Sequence, residues 1–283
     1  MTENYSKYLA IFERSMEKVP VDIIKEIQLK LKQETQEEPL VSVVVIAHNE
    51  EKHILSCLWS LSENKCGFPI EIIVINNNST DRTTEILDMI GVKWYNEPNK
   101  GPGHARQCGL NHARGKYYLC IDADTIYPPY YIQTMVNQLR KSGVSCAFGL
   151  WSFIPDKQHS RLGLFLYESL RDIYLLLQSM KRPELCVRGM AFGFNTEMGR
   201  KIGFRTDIIR GEDGSLALAM KQYGKLVLIK NRKARVFTSN STLSAEGSFF
   251  KSFINRFFKA FKSSGNMFSK KTNYKDQESN LIK

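Results

Sequence analysis

Between residues 40 and 121, short apolar runs rich in β-branched residues alternate with segments typical of helices. The apolar runs cover residues 40–47, 70–75, 92–96 and 117–121. The segments predicted to be helical cover residues 51–62, 80–90 and 103–113. Strands that alternate with helices of this length form βαβ units, so the pattern predicts an α/β fold with a mostly parallel central sheet.

Polar residues follow three of the predicted strands, at residues 48–50, 76–78 and 122–124. Parallel α/β sheets bind their ligands beyond the carboxyl ends of the strands. The three clusters are therefore predicted to share one rim of the sheet and to form a ligand site there.

The most specific of these clusters is Asp122-Ala123-Asp124, which follows the apolar run 117–121. Residues two apart on a strand point to the same side, so both carboxylates can aim at one cation. Mg²⁺ and Mn²⁺ prefer such oxygen ligands and commonly complete their coordination with substrate phosphates. The pattern predicts a metal–diphosphate site, and an acidic turn after a buried strand is the alternative.

The composition limits the class of protein. The chain has 283 residues, 42% of them hydrophobic, and a formal net charge of +11. This length supports a substantial core, and the charge favours anionic partners such as phosphates or a membrane surface. Nucleic acid would also explain the charge, but the basic residues form no recognisable nucleic-acid-binding module, so we expect no nucleic-acid partner.

Cysteine and targeting patterns favour a cytoplasmic location. Six cysteines are scattered without a Cys-x-x-Cys pair, which is typical of reduced, mostly buried thiols. The polar start of the chain contains no apolar signal-peptide core. Residues 162–180 are strongly apolar with helical periodicity, but no apolar run approaches the roughly 20 residues of a membrane span.

Five short motifs occur in order between residues 43 and 213. They are residues 43–51 (VVVIAHNEE), 74–81 (VINNNSTD), 99–106 (NKGPGHAR), 122–124 (DAD) and 211–213 (GED). With these motifs the sequence resembles the family 2 inverting glycosyltransferases over residues 40–230. The resemblance implies their nucleotide-diphospho-sugar transferase (GT-A) fold, a three-layer α/β/α arrangement around a mostly parallel sheet.

The resemblance also implies roles for individual residues. Asp122 and Asp124 would hold Mg²⁺ or Mn²⁺ on the donor diphosphate, with Asp124 as the more direct ligand. Asp213 would be the general base that takes the proton of the acceptor hydroxyl; alternatively, Glu212 and Asp213 only complement the dipole of a following helix. The residues expected to bind the nucleotide sugar are Ala47, Asn49, Glu50, Asn76, Asn78, Lys100, Gly101, Arg106, Asp122, Ala123 and Gly189.

The sequence departs from the family pattern at two places. Asn76 stands where the family usually has an aspartate that contacts the base, and an amide both donates and accepts hydrogen bonds, whereas a carboxylate only accepts. Residues 230–237 contain no histidine, although many relatives place a phosphate- or metal-contacting histidine there. Glu50, which the family uses to contact base and ribose, can also serve as a helix N-terminal acid without other function.

Both ends of the chain are predicted to be helical extensions. Residues 1–39 form the first extension, residues 40–240 the catalytic domain and residues 241–283 a basic, aromatic tail. At helical spacing, residues 249–262 place Phe and Ile on one half of a helix and Lys, Arg and Asn on the other. Such a helix lies on an anionic membrane or packs its Phe face on protein, and the pattern favours neither.

Together these features predict an inverting, metal-dependent glycosyltransferase that moves a sugar from a nucleotide-diphospho-sugar, specifically a UDP-sugar, to a glycan or lipid-linked acceptor. We expect it in the cytoplasm, with peripheral contact at the inner face of the cell membrane through residues 249–262. The alternative is a catalytically silent protein of the same fold that binds nucleotide sugar or scaffolds a membrane complex. A nucleotidyltransferase is a further rival; a dinucleotide oxidoreductase is disfavoured because no glycine fingerprint follows the first predicted strand.

Overall fold

The computed structural model describes residues 5–32, 38–156, 159–240 and 280. The strands in these residues are β1 (Val41–Ala47), β2 (Ile70–Asn76), β3 (Lys93–Asn96), β4 (Tyr117–Asp122), β5 (Thr125–Ile126), β6 (Val144–Gly149), β7 (Trp151–Phe153), β8 (Phe192–Asn195), β9 (Lys225–Ile229) and β10 (Val236–Thr238). The α-helices are α1 (Val21–Lys32), α2 (Ile54–Ser62), α3 (Thr83–Ile90), α4 (Pro102–His112), α5 (Tyr131–Leu139), α6 (Arg161–Ser179), α7 (Thr196–Ile202) and α8 (Glu212–Met220).

The central sheet of the described residues has seven strands in the order β3-β2-β1-β4-β8-β6-β9. Strands β3, β2, β1 and β4 are mutually parallel. Strand β8 pairs antiparallel with both β4 and β6, and β9 runs parallel to β6. Within the part of the chain that the structure describes, β8 is therefore the one reversed strand, and the predicted α/β fold with a mostly parallel central sheet is confirmed.

Both faces of the sheet are covered by other elements. Val43, Val44 and Val45 follow one another in β1, and all three are fully buried. Because successive side chains of a strand point to opposite faces, burial of all three requires packing on both sides. On one side this packing comes from α4, where Gly109 lies against Val44 and Tyr118.

A small sheet closes onto the end of β4. In the described residues it has three strands in the order β5-β10-β7, and β5 begins directly after Asp124. Thr238 of β10 lies opposite Thr125 of β5, and the backbone N–H of Ser239 donates to the carbonyl of Asp124 at 3.1 Å. A segment more than 100 residues later in the chain thus fixes the backbone at the predicted metal site.

The N-terminal segment is only partly the helix that the sequence predicts. Helix α1 covers Val21–Lys32, whereas Tyr8–Ala10 and Met16–Lys18 form separate 3₁₀ turns. The interruption has a local cause: Pro20 disfavours helical geometry at Val19, which is extended at φ −85° and ψ 127°.

The segment nevertheless packs onto the core. The hydroxyl of Tyr8, which is buried, donates to Glu63 at 2.5 Å, and Lys30 of α1 pairs with the same carboxylate. Ile27 of α1 joins the main hydrophobic cluster. The domain boundary at residue 39 stays a prediction, and the predicted helix over residues 249–262 lies outside the described residues.

Helix α6 is the longest helix of the described residues, with 19 residues. Ser160 caps its start by accepting a hydrogen bond from the backbone N–H of Gly163. The apolar residues of α6 are not all packed in the core, because most of its leucines face outward. Among the residues that the structure describes, no helix is both long and apolar enough to cross a bilayer.

Candidate active site

A cleft of about 720 Å³ lies at the carboxyl ends of the parallel strands. Its walls come from the loops after β1, β2 and β4, the start of α4, the turn before β8 and the start of α8. Among the predicted site residues, the cleft is lined by Ala47, Glu50, Lys100, Gly101, Arg106, Asp122, Ala123, Asp124, Gly189 and Asp213. The structure does not place Asn49, Asn76 and Asn78 on the cleft wall.

Asn49 and Asn78 instead shape the loops behind the cleft. Both have positive φ angles, 58° and 55°, a region that asparagine enters more readily than most residues. The carboxamide oxygen of Asn49 accepts a hydrogen bond from the N–H of Thr80 at 2.7 Å, and the N–H of Asn49 donates to Ser79 at 2.9 Å. These bonds join the loop after β1 to the loop after β2.

Asn76 has a similar structural environment. It is buried at the end of β2, and its amide donates to the side-chain oxygen of Asn96 at 2.7 Å. Its own oxygen accepts the N–H of Ser79 at 3.3 Å. Both ends of the amide are therefore engaged with the neighbouring strand and loop rather than with the cleft.

Asn77 is the asparagine of this cluster that lines the cleft, and sequence reasoning missed it. Its amide donates to the carbonyls of Glu97 and Asn99, and its oxygen accepts the N–H of Gly101 at 2.9 Å. Asn77 therefore fixes the loop that leads into α4. The sequence feature that could have identified Asn77 is its position one residue beyond the strand, because a strand end predicted from sequence is uncertain by about one residue.

The loop after β1 contributes His48 and Glu50 to the cleft. The Nδ1 of His48 donates to the carbonyl of Asn77 at 2.7 Å, and Glu50 bonds the Nδ1 of His53 at 2.7 Å. Burial acts to lower the pKa of His53, but the hydrogen bond and charge of Glu50 outweigh it, and the pKa is raised. Glu50 is therefore paired with His53 beside the cleft.

Gly101 and Gly189 near the cleft are glycines for two different reasons, one a backbone angle and the other a close contact. Gly101 has a φ of 131°, which side chains rarely allow, and it leads Pro102 into the first turn of α4. A Cβ at Gly189 would overlap the guanidinium of Arg106. Glycine at position 189 thus leaves the space that Arg106 occupies.

Arg106 links two of the predicted motifs. Its side chain is 3% exposed, and its Nη2 donates to Asp122 at 2.7 Å while its Nε donates to Glu212 at 3.2 Å. A buried guanidinium needs such partners because an isolated charge inside a protein is costly. Arg106 therefore holds the end of β4 against the start of α8.

One guanidinium nitrogen of Arg106 lacks a hydrogen-bond partner among the described residues. Its Nη1 is buried and makes no hydrogen bond to the described protein atoms. Because Arg106 lines the cleft, a bound anionic or carbonyl group is the natural partner of that donor.

Asp124 is surrounded by hydroxyl donors from the small sheet. Ser239 donates to Oδ2, and Thr125 donates to Oδ1 at 3.2 Å. Burial, with the negative charges of Asp122 and Glu50, raises the pKa of Asp124 to about 6, although the Ser239 bond acts in the opposite direction. A bound cation would relieve this accumulation of negative charge.

The donor set fits a divalent cation that shares its coordination with a substrate. Asp122 and Asp124 supply carboxylate oxygens at one end of the cleft, as Mg²⁺ and Mn²⁺ prefer. In the described residues, no group of three or more His, Cys, Asp and Glu side chains is arranged to hold a metal. An ion bound here would therefore need ligands besides the His, Cys, Asp and Glu side chains of the described residues, such as substrate phosphate oxygens.

The two acids at the start of α8 differ in environment. Glu212 is buried against Arg106, and burial together with the charge of Asp213 raises the pKa of Glu212. Asp213 is half-buried, lines the cleft and accepts the N–H of Gly214 at 2.7 Å. Both carboxylates line the cleft; Asp213 is the more exposed of the two, and Glu212 is the partner of Arg106.

The far rim of the cleft includes Ile209 and Arg210. The backbone N–H of Ile209 donates to the carbonyl of Asn280 at 2.9 Å, and the amide of Asn280 donates to the carbonyl of Arg210 at 3.0 Å. Sequence reasoning did not predict this contact, because nothing in the pattern connects residue 280 with residue 210.

Comparison with known proteins gives a family match over more than half of the chain. The family model described as "Glycosyl transferase family 2" matches residues 42–202, a range that ends before Glu212 and Asp213. An uncharacterized glycosyltransferase of Haemophilus influenzae is 36% identical over 132 residues, which is 44% of this chain and 41% of that protein. The putative glycosyltransferase EpsH of Bacillus subtilis is 34% identical over 106 residues, 36% of this chain and 30% of that protein. The chain thus spans less than half the length of these two relatives.

Solved structures share the fold at low sequence identity. The mannosyltransferase PcManGT of Pyrobaculum calidifontis, in complex with GDP-Man and Mn²⁺, matches with a TM-score of 0.57 and 18% identity, covering 82% of this chain and 67% of that one. Glucosyl-3-phosphoglycerate synthase of Mycobacterium tuberculosis, in complex with Mn²⁺, UDP-Glc and phosphoglyceric acid, matches with a TM-score of 0.52 and 19% identity, covering 82% and 81%. These matches confirm the predicted GT-A fold.

Proposed function

The chain belongs to glycosyl transferase family 2, and from this premise we propose that it transfers a sugar from a UDP-sugar to a glycan or lipid-linked acceptor, with inversion at the anomeric carbon. The observation that carries the proposal is the meeting of Asp122, Asp124 and Asp213 in one cleft. The first two come from the end of β4 and the third from the start of α8, so the fold gathers them from positions 91 residues apart.

In the proposed reaction, Asp213 takes the proton of the acceptor hydroxyl. The hydroxyl oxygen forms a bond to the anomeric carbon while the bond from that carbon to the diphosphate oxygen breaks. Attack from the side opposite the leaving group inverts the configuration, and the nucleoside diphosphate leaves with the bonding electrons. The half-buried carboxylate of Asp213 is accessible from the cleft, as this role requires.

Asp122 and Asp124 would hold Mg²⁺ or Mn²⁺, and the bound ion would supply positive charge against the leaving diphosphate. Arg106 keeps Asp122 in position through its 2.7 Å bond and offers its unpaired Nη1 to the donor. Two solved structures with the same fold hold Mn²⁺ together with a nucleotide sugar, which supports the same requirement here.

The remaining cleft residues are proposed to bind the donor. Ala47, Glu50 and Asn77 would form the nucleotide end, and Lys100, Gly101 and Arg106 would face the phosphates. Gly189, whose missing side chain leaves room for the guanidinium of Arg106, would line the sugar end of the donor site. Asn49, Asn76 and Asn78 would then act by shaping the loops behind this wall.

A lipid-linked acceptor would place the reaction at the inner face of the cell membrane. The support is in the sequence, where residues 247–275 contain seven Lys and Arg and no Asp or Glu, with Phe at helical spacing over 249–262. This peripheral contact is part of the proposal and lies outside the described residues.

The test measures nucleoside-diphosphate release from UDP-, GDP- and dTDP-sugars with Mn²⁺, Mg²⁺ or EDTA, for the wild type and for Asp124→Ala. We expect slow hydrolysis of one donor that needs a metal and is lost in the variant. Release that is equally fast in EDTA would contradict the metal role of Asp122 and Asp124.

The second candidate is a catalytically silent protein that binds nucleotide sugar. Asp213→Asn separates the two readings, because loss of a base lowers turnover by about 10²- to 10⁴-fold while leaving donor affinity intact. Asp22→Asn, an exposed acid on α1, is the matched control and should keep full turnover. If the wild type binds a donor but neither hydrolyses nor transfers it with any acceptor tested, the silent reading is correct.

A further inference from the structure

One side of helix α6 exposes an unusual number of large apolar residues. Seven side chains on the helix and its C-cap are 47% to 80% exposed: Leu162, Phe165, Leu166, Leu170, Ile173, Leu177 and Met180. Their spacing of three, four and seven residues places them on a single face of the helix, which we term the α6 stripe. A contiguous apolar surface of this kind marks an interaction site.

The opposite side of α6 is fixed to the protein. Leu164, Arg171 and Leu175 are its buried residues. The guanidinium of Arg171 lies 4.3 Å from the ring centre of Trp151 and donates to the carbonyl of the same residue. These contacts set the rotation of the helix, so the α6 stripe faces outward because the fold holds it there.

The charges on α6 favour an anionic partner. Both of its carboxylates are engaged internally: Glu168 accepts from Ser152 at 2.7 Å and from the N–H of Phe153 at 2.6 Å, and Asp172 pairs with Arg171 and Arg235. The exposed charged residues at the two ends of the stripe are Arg161 and Lys181, both basic. An apolar band with basic ends suits an anionic bilayer surface, which takes up apolar side chains at the acyl boundary and attracts cations at the headgroups.

We propose that the α6 stripe docks the protein on the surface of a bilayer that contains anionic lipids. The helix is about 28 Å long, at 1.5 Å per residue, and would lie flat, with its leucines at the acyl boundary and Arg161 and Lys181 at the headgroups. A second copy of the chain fits less well. Stripe-to-stripe pairing brings Arg161 next to Arg161 or next to Lys181, depending on direction, and like charges repel.

Helix α6 is joined in sequence to one wall of the cleft. The helix continues through a 3₁₀ turn at Pro183–Cys186 into Arg188, Gly189 and Met190, which line the cleft. The docking itself does not depend on sugar transfer, because it needs neither donor nor acceptor.

The test is a flotation assay of the full-length protein with vesicles of phosphatidylcholine containing one third phosphatidylglycerol. In Phe165→Gln/Ile173→Gln we expect the vesicle partition coefficient to fall about tenfold or more, because two large apolar groups no longer enter the interface. Val21→Gln/Leu29→Gln is the matched control: both residues are 62% exposed on α1, and the control should bind like the wild type. Thermal melts of all variants check that each is folded.

A third full-length variant, Phe253→Gln/Phe257→Gln, separates the stripe from the tail. Reduced binding in the α6 variant, with or without reduced binding in the tail variant, supports the proposal. Wild-type binding in the α6 variant overturns it, and so does an equal loss in the Val21→Gln/Leu29→Gln control. Absence of vesicle binding by the wild type, together with a solution dimer that the α6 variant dissociates, would also overturn it and assign the stripe to a second copy.

Discussion

At the scale of single residues, Arg106 joins the two parts of the cleft that carry Asp122 and Glu212. It is 3% exposed and pairs with Asp122 and Glu212, which are 31% and 7% exposed. Removing one partner of a buried ion pair is costly because the other charges remain in a poorly solvating environment.

We therefore expect Arg106→Met to lower the free energy of unfolding by about 3 to 5 kcal/mol in urea denaturation. Arg82→Met is the control: Arg82 also pairs with a glutamate, Glu85, but the two side chains are 42% and 55% exposed, so its loss should cost far less stability than the loss of Arg106. Equal effects in the two variants would refute the structural role of Arg106.

A substitution at Gly189 tests the position of the Arg106 guanidinium, which lies against this glycine. Gly189→Ala would push a methyl group into the guanidinium of Arg106, so we expect a loss of about 1 to 3 kcal/mol in stability and reduced donor hydrolysis. Gly67→Ala is the matched control, because the nearest atom to its added Cβ is Gln133 Oε1 at 4.0 Å. Chemical denaturation and nucleoside-diphosphate release measure both quantities.

Asp124 gives a pH prediction with a definite sign. Its folded-state pKa is raised to about 6, above the ordinary value of 3.8, so the folded state binds the proton more tightly than the unfolded state. In EDTA, the contribution of this carboxyl to stability therefore rises as the pH falls from about 7 to about 4. Replacement by Asn should stabilise the protein at pH 7, and the advantage should shrink toward pH 4; urea titrations at several pH values would show a constant difference if the burial of Asp124 is unimportant.

The sequence predicted the strand ends around the cleft but not the direction of each side chain. Asp122, Asp124 and Glu50 line the cleft because they follow strands that the pattern located well. Asn77 lies there instead of Asn76, since an uncertainty of one residue at a strand end exchanges the two positions. The Arg106–Glu212 contact joins residues 106 positions apart, and no local pattern carries that information.

At the scale of elements, α4 shows how closely a helix can approach the sheet. Gly109 of α4 lies against β1 and β4; an added Cβ would overlap Val44 Cγ1 and lie 2.8 Å from the Tyr118 hydroxyl. Alanine is the better helix former by about 1 kcal/mol, but overpacking a tight contact costs about 1 to 3 kcal/mol.

We therefore expect Gly109→Ala to lower the thermal unfolding midpoint. Gly163→Ala in the first turn of α6 is the control, because the nearest atom there, at 3.2 Å, is the Ser160 hydroxyl at the end of a short exposed side chain. The control should be neutral or slightly stabilising. If Gly109→Ala raises the midpoint, helix propensity outweighs packing at this contact.

Helix α6 shows that an amphipathic pattern predicts a helix but not the surroundings of its apolar side. The pattern of residues 162–180 identifies the helix and its apolar side correctly. It does not say whether that side meets the core or the outside, because both environments select the same residues. The contacts of Arg171 and Leu175 with the rest of the protein show that the apolar side of α6 faces outward.

At the scale of the whole molecule, the six cysteines behave as the composition predicts. None forms a disulfide; Cys57, Cys120, Cys146 and Cys186 are buried, whereas Cys66 and Cys108 are half-buried. Burial raises the pKa of every one of these thiols, so the reactive thiolate is scarce.

We expect at most two thiols of the native protein to react readily with Ellman's reagent, and all six to react after unfolding in urea. Adding reductant should leave the melting temperature unchanged, because no native disulfide contributes to it. Rapid reaction of four or more thiols in the native state would contradict the burial of these side chains.

The hydrogen bonds from β10 and Ser239 to Asp124 have a consequence for synthesis of the protein on the ribosome. The strands that carry the first motifs emerge early, but Asp124 gains its Ser239 partner only after residue 239 has left the exit tunnel. A nascent chain that stops short of β10 therefore contains every acid of the motif without the geometry that unites them. Contacts of such long sequence separation form late and slow folding, so the growing polypeptide completes the surroundings of Asp124 only after β10 has been synthesised.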